Sequence, residues 1–98
     1  MGLSRRLFQG VFLTGGNNLR ICVRFFALYR ELIGLGEQEY TLNLGSKVED
    51  LIKLIVEKHE NMKDMKGMLV AINNAFVESD AELKNGDVVA LLPPVSGG

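Results

Sequence analysis

The 98-residue chain predicts an α+β roll, a mixed sheet of about four or five strands with one main helix packed on one face. Three observations carry that expectation. Two early stretches alternate apolar and polar residues at the period of a strand, and glycines lie between them. A single long stripe with helical spacing follows. Three short apolar runs, separated by Asn- and Gly-rich turns, complete the order.

In ICVRFFAL (21–28), Ile21, Val23, Phe25 and Ala27 share one face, which is purely apolar and must look inward. Cys22, Arg24, Phe26 and Leu28 share the other, where Arg24 calls for water although Phe26 stands beside it. Leu28 to Ile33 reads as a short helical turn stopped by Gly34, with Gly36 extending the break. Gln38 to Leu44 resumes the alternation, with Tyr40, Leu42 and Leu44 on one side, and reads as a strand hairpinned to the first. Ser46-Lys47-Val48-Glu49 fits a capping box at the start of the main helix. Val48, Leu51, Ile52 and Ile55 then form its buried stripe, Lys53, Glu57 and Lys58 its wet side, and it fades at His59-Glu60-Asn61.

Met62, Met65 and Met68 are read as flexible filler beneath a loop, and His59 as a helix-end residue without a second histidine to help it hold a metal. Leu69–Ile72 and Ala75–Val77 make a hairpin across Asn73-Asn74, residues that tolerate positive φ. Asn85-Gly86-Asp87 is a further turn. Val88–Leu92, apolar on both faces, is either central in the sheet or covered by another protein. Hairpin, crossing helix, short strands and a returning strand are the order of a β-grasp, ubiquitin-like domain over residues 21–92. Residues 1–20 precede it as a flexible N-terminal extension, joined through Gly15-Gly16-Asn17-Asn18. Whether that extension orders on something else stays open.

Composition bounds the function. Apolar residues at 47% and charged residues at 23% are ordinary for a globular domain. A formal net charge of -1 gives no reason to expect nucleic acid or an anionic membrane. Residues 1–20 hold Arg5, Arg6 and Arg20 without an acid, which leaves 12 acids against 8 bases, a net of -4, for the remainder. That mild acidity suits a basic docking surface on a partner. Cys22, the single cysteine, excludes an internal disulfide and a cysteine-built zinc or iron–sulfur site within one chain, so a reducing, cytoplasmic setting is the default. No paired carboxylates, nucleophile–base set or phosphate loop stands out, and the chain is not expected to be catalytic alone.

The ending LLPPVSGG is the segment most unlike a routine terminus. Pro93-Pro94 cannot donate ladder hydrogen bonds, so the sheet must stop there, and paired prolines favour an extended, low-entropy stalk. At ~3.3 Å per residue, residues 93–98 reach on the order of 20 Å. Val95 and Ser96 continue the stalk. Gly97-Gly98 offers minimal girth, matched to a channel that would reject any Cβ. The α-carboxylate of Gly98 is ionised at neutral pH and poor as an acyl donor until it is activated, for instance as an adenylate made from ATP. A sulfur nucleophile would then leave a thiocarboxylate, whereas a lysine or cysteine would leave a conjugate.

VRFFALYRELIG, VAINNAFV and LKNGDVVALLPPVSGG, in this order, resemble the small subunit of molybdopterin synthase (molybdopterin converting factor subunit 1), a ubiquitin-like sulfur-carrier family. The resemblance covers about residues 21–98. It implies that an E1-like adenylyltransferase/sulfurylase adenylates Gly98 with ATP and converts it to a thiocarboxylate. It further implies that the tail Pro93, Pro94, Val95, Ser96, Gly97 inserts into the large catalytic subunit and delivers sulfur to precursor Z, forming the molybdopterin dithiolene. No cofactor or metal would be bound stably by this chain, and neither nucleic acid nor membrane is an expected partner. The family's partner-binding hydrophobic patch falls here on Phe26, Phe76 and Leu92. Two alternatives share the tail chemistry: a sulfur carrier for thiazole or tRNA thiolation, and a protein modifier conjugated through Gly98.

Overall fold

In a computed structural model that describes residues 18–63 and 66–94, strand β1 (Asn18–Phe25) leads into helix α1 (Ala27–Ile33) and strand β2 (Glu37–Asn43). Helix α2 (Val48–Lys58) and a single 3-10 turn (Glu60–Met62) follow, then strands β3 (Leu69–Ile72), β4 (Ala75–Val77) and β5 (Val88–Leu92). The five strands form one sheet in the order β2-β1-β5-β3-β4. β1 and β5 run parallel and the other neighbours antiparallel, so the sheet is mixed, as a β-grasp requires.

β5 lies at the centre, which resolves the choice left open by its two apolar faces. Two turns hold it there. The Cys22 amide donates to the Asp87 carbonyl at 3.0 Å and the Gly86 amide to the Arg20 carbonyl at 2.9 Å, tying the Asn85–Asp87 turn to β1. From the other side, Asn73 accepts from the Val88 amide and donates through its side-chain amide to Asp87, both at 3.0 Å. The Asn73-Asn74 hairpin has φ of 49° and 75°, the pairing of positive angles that a tight hairpin turn uses.

The core lies between the inner face of the sheet and α2. Ile21, Val23 and Phe25 of β1, Tyr40 and Leu42 of β2, and Val89 and Leu91 of β5 are buried there with Val48, Leu51 and Ile55 of α2. Burying each such side chain is worth roughly 1.5–3 kcal/mol. Met62 is buried and Met68 packs against the core, as gap-fillers under the 3-10 turn, while Met65 lies outside the described residues. α1 ends as expected: Gly34 has φ 86° and its amide donates to the Arg30 carbonyl at 2.9 Å, a left-handed cap. Among the described residues, no helix is long and apolar enough to cross a membrane.

Four details depart from the sequence reading. β1 begins at Asn18, inside the stretch read as a joint, and Leu19 is only 1% exposed. The inward alternation of Ile21, Val23 and Phe25 therefore extends back one step, and Asn18 to Arg20, read as part of the extension, belong to the sheet. Ala27 does not join that inward face. The strand stops at Phe25, and Ala27 takes φ 51° as the chain turns into α1, which leaves it exposed. Leu44 likewise falls beyond the end of β2 and is 63% exposed rather than stacked on Tyr40 and Leu42.

The fourth concerns the start of α2. The capping residue is Lys47, not Ser46, and the carboxylate that reaches back is Asp50, which accepts from the Lys47 amide at 2.8 Å; Glu49 plays no such part. The loop after β4 explains the shift. The carbonyls of Ala81 and Ser79 accept from the amides of Val48 and Glu49, at 2.9 and 3.0 Å, and so do the work a Ser46 hydroxyl would have done. Ser46 instead offers its carbonyl to the Leu83 amide at 2.9 Å, seating Leu83 in the core.

This packing predicts a large penalty for hollowing the helix–sheet contact. Leu51→Ala is expected to lower unfolding free energy by about 2–5 kcal/mol, read from the midpoint of a urea transition, because the site is fully enclosed.

Candidate functional site

The root of the tail is the end of the central strand. The Phe26 amide donates to the Leu91 carbonyl at 3.3 Å, and Leu69 faces Leu92 across the last rung between β3 and β5. Pro93 and Pro94 come next, half-buried and exposed in turn, with no amide hydrogen to extend the ladder. The sheet therefore stops at Leu92, directly before the paired prolines. Val95, Ser96, Gly97 and Gly98 lie outside the described residues.

Beside that root, the outer face of the sheet is apolar over β3, β4 and β5, with Phe26 just past the end of β1. Parity in the ladder places it. Val89 and Leu91 point into the core, so Val88, Ala90 and Leu92 point away from it. Ala71 pairs with both Ala90 and Phe76, which puts all three in one outward row, and Leu69 with Leu92 forms the next. Phe76 is 71% exposed, Phe26 42% and Leu69 37%; Leu92 is half-buried. Ala71 and Ala90 supply a low floor among larger side chains. Such a cluster on one side of a small domain is the kind of surface that another protein covers.

Phe26, Phe76 and Leu92 thus occur together on the outer face. Leu69 was missed in the sequence because LVAI is apolar at every position, so its parity could not be read without its partner strand. The β1–β2 side of the same face is charged: Arg24 pairs with Glu37 and Arg20 with Glu39, each at 3.4 Å and well exposed. Exposed pairs of this kind add little stability, but they give the apolar area a polar border.

Cys22 also lies on this outer face, half-buried. Burial first, and then the neighbouring Glu37 carboxylate, push its thiol up from the ordinary value. A thiol held protonated is a weaker nucleophile than its thiolate. Among the described residues, no three His, Cys, Asp or Glu side chains gather to hold a metal ion.

The ThiS family profile matches residues 23–98. A molybdopterin synthase sulfur carrier subunit from Chlamydomonas reinhardtii is 41% identical over 83 residues, covering 82% of this chain and all of that protein. Among solved structures, a putative molybdopterin converting factor subunit 1 from Pyrococcus furiosus superposes with a TM-score of 0.74 at 37% identity, covering 79% of this chain and 99% of that one. The complex of subunits 1 and 2 of molybdopterin-converting factor from Helicobacter pylori contains a chain with a TM-score of 0.55 and 29% identity, covering 82% of this chain and all of that one. The chain belongs to the ThiS family.

The raised Cys22 thiol has a measurable consequence. Because its folded value lies above its unfolded one, the stability it confers is full below the unfolded value and is lost as pH rises through the folded value. Stability is expected to decline on the alkaline side, and iodoacetamide should modify native Cys22 at least about tenfold more slowly than the urea-unfolded thiol at pH 8. Equal rates in the two states would contradict the assignment.

Proposed function

We propose that this protein is the sulfur carrier subunit of a molybdopterin synthase. The observation that carries the reading is the position of Pro93-Pro94, directly after a central strand and beside a bare apolar face, in a chain of the ThiS family. The carboxylate of Gly98 attacks the α-phosphorus of ATP on an activating enzyme, releasing pyrophosphate and leaving an acyl adenylate. Hydrosulfide, supplied by the sulfur donor, displaces AMP at the carbonyl carbon, and with loss of its proton the terminus becomes a thiocarboxylate. In the large catalytic subunit this sulfur passes to the pterin precursor, water cleaves the acyl–sulfur bond and releases the carrier as its carboxylate, and a second charged carrier supplies the other sulfur of the dithiolene.

The residues of this chain act by presentation. The prolines hold the tail away from the body, Val95 and Ser96 lengthen it, and Gly97-Gly98 lets the backbone enter a narrow channel. Phe26, Phe76 and Leu92, extended by Leu69, dock the body. No cofactor is held by the carrier itself, ATP being consumed on the activating enzyme. The setting is the cytoplasm, where an activating enzyme and a large subunit are reached by diffusion.

Charging is tested by intact mass after incubation with activating enzyme, ATP and a sulfur donor. The wild-type terminus should gain the mass difference between oxygen and sulfur, and deletion of Gly98 should abolish that gain with the melting midpoint nearly unchanged. A terminus that never exchanges oxygen for sulfur would refute the reading. Conjugates of higher mass that vanish with Gly98 would assign the chain to the protein modifiers instead, and capture of a thiazole synthase or tRNA thiolase in place of the large subunit would assign it to another thiolation pathway.

Docking is tested separately. Phe26→Asp and Phe76→Asp should each weaken binding to the large subunit by about tenfold or more and shift stability by no more than ~1 kcal/mol. Collapse of the fold in the Phe26 variant would show that its ring serves the core.

A further inference from the structure

Four glycines among the described residues adopt φ between 73° and 91°, namely Gly34, Gly45, Gly67 and Gly86. At three of them a Cβ would meet nothing within 4 Å, so only the backbone angle asks for glycine. Gly67 differs. A Cβ there would lie 3.1 Å from Cβ of Pro94 and 3.3 Å from its Cγ, closer than such atoms ordinarily approach. Gly67 belongs to the turn that leads into β3, and Pro94 is the second residue past β5. The ladder that fixed β5 has ended by then, since Leu92 is its last residue paired with β3.

We infer that Gly67 is a positioning residue for the carrier tail: its missing side chain forms a notch that seats the Pro94 ring and so sets the direction in which the chain leaves the sheet. The inference rests on the carrier reading for its functional consequence, though not for the contact itself. The ring fixes φ at Pro94 near −65°, so a seated ring constrains the backbone on both sides of it. Gly98 follows four residues later, at most ~13 Å along the chain. A change of direction at the root shifts the space that the remaining residues can reach, and misplacement of a reacting group by about 1 Å can cost on the order of a hundredfold in rate.

The test compares two asparagine variants of the full-length chain. Asn tolerates positive φ, and this chain already uses it so at Asn73 and Asn74. Gly67→Asn fills the notch, whereas Gly86→Asn adds the same side chain into open space at φ 90°. The wild type is first shown to be charged with sulfur by activating enzyme, ATP and a sulfur donor; if it is not, the carrier reading fails and the contact is judged by the spectroscopic readout alone. That readout is the nuclear Overhauser contact between the Gly67 α-protons and the Pro94 ring, expected in the wild type and in Gly86→Asn and lost in Gly67→Asn.

With charging established, Gly67→Asn should slow sulfur acquisition at limiting activating enzyme by about tenfold or more, and Gly86→Asn by less than about twofold. Should Gly67→Asn fail to fold, Pro94→Gly empties the notch from the other side and is expected to slow charging by a similar factor. Absence of the wild-type contact, or charging at the wild-type rate in both Gly67→Asn and Pro94→Gly, would overturn the inference. So would equal slowing of the Gly67 and Gly86 variants.

Discussion

The parallel pairing of β1 with β5, Cys22 to Phe25 against Val88 to Leu91, is the contact on which the rest of the molecule depends. Parallel neighbours need a long crossover, and everything between these two strands is that crossover. α2 packs under the sheet as part of it, and the β3–β4 hairpin, which precedes β5 in the chain, pairs with it through β3. The pairing also places the last strand at the centre, so the segment that follows starts from the best-supported position in the sheet. A tail rooted on an edge strand would inherit that edge's mobility.

One sheet serves two purposes because its faces are separated by parity. The inner face, with Ile21, Val23, Phe25, Val89 and Leu91, is sealed by α2 and carries most of the stability. On the outer face Phe26, Phe76 and Leu69 contribute area to the surface and little to the core. A change of partner preference can therefore be made on the outer face without disturbing what holds the domain together. The charged border formed by Arg20, Arg24, Glu37 and Glu39 limits how far the apolar area spreads.

Much of this was legible in the sequence because period two and period 3.6 are physical consequences of strand and helix geometry. Ile21, Val23 and Phe25 on the inner face of β1, the stripe of α2, the left-handed stop at Gly34 and the Asn73-Asn74 turn each have a local cause and were read correctly. The end of the sheet before Pro93-Pro94 was legible as well, from the missing amide hydrogens. What could not be read depends on distant chain. Ser46 lost the cap to Lys47 because the carbonyls of Ser79 and Ala81 arrive from thirty residues away. Leu69 had no legible face until it was paired with Leu92, and the special status of Gly67 exists only beside Pro94. Leu19 is the exception: its alternation was available, but the glycines and asparagines before it suggested a joint and hid the strand's first turn inward.

The most direct measurement of the central claim is native-state amide hydrogen exchange along β1 and β5. If their parallel pairing anchors both the fold and the root of the tail, the amides of Cys22, Phe26, Val89 and Leu91 will exchange only through global unfolding, with a free energy equal to that from urea denaturation. If the end of β5 instead opens locally, at a free energy well below the global value while β3 and β4 stay protected, the tail has no firm root and the account is wrong.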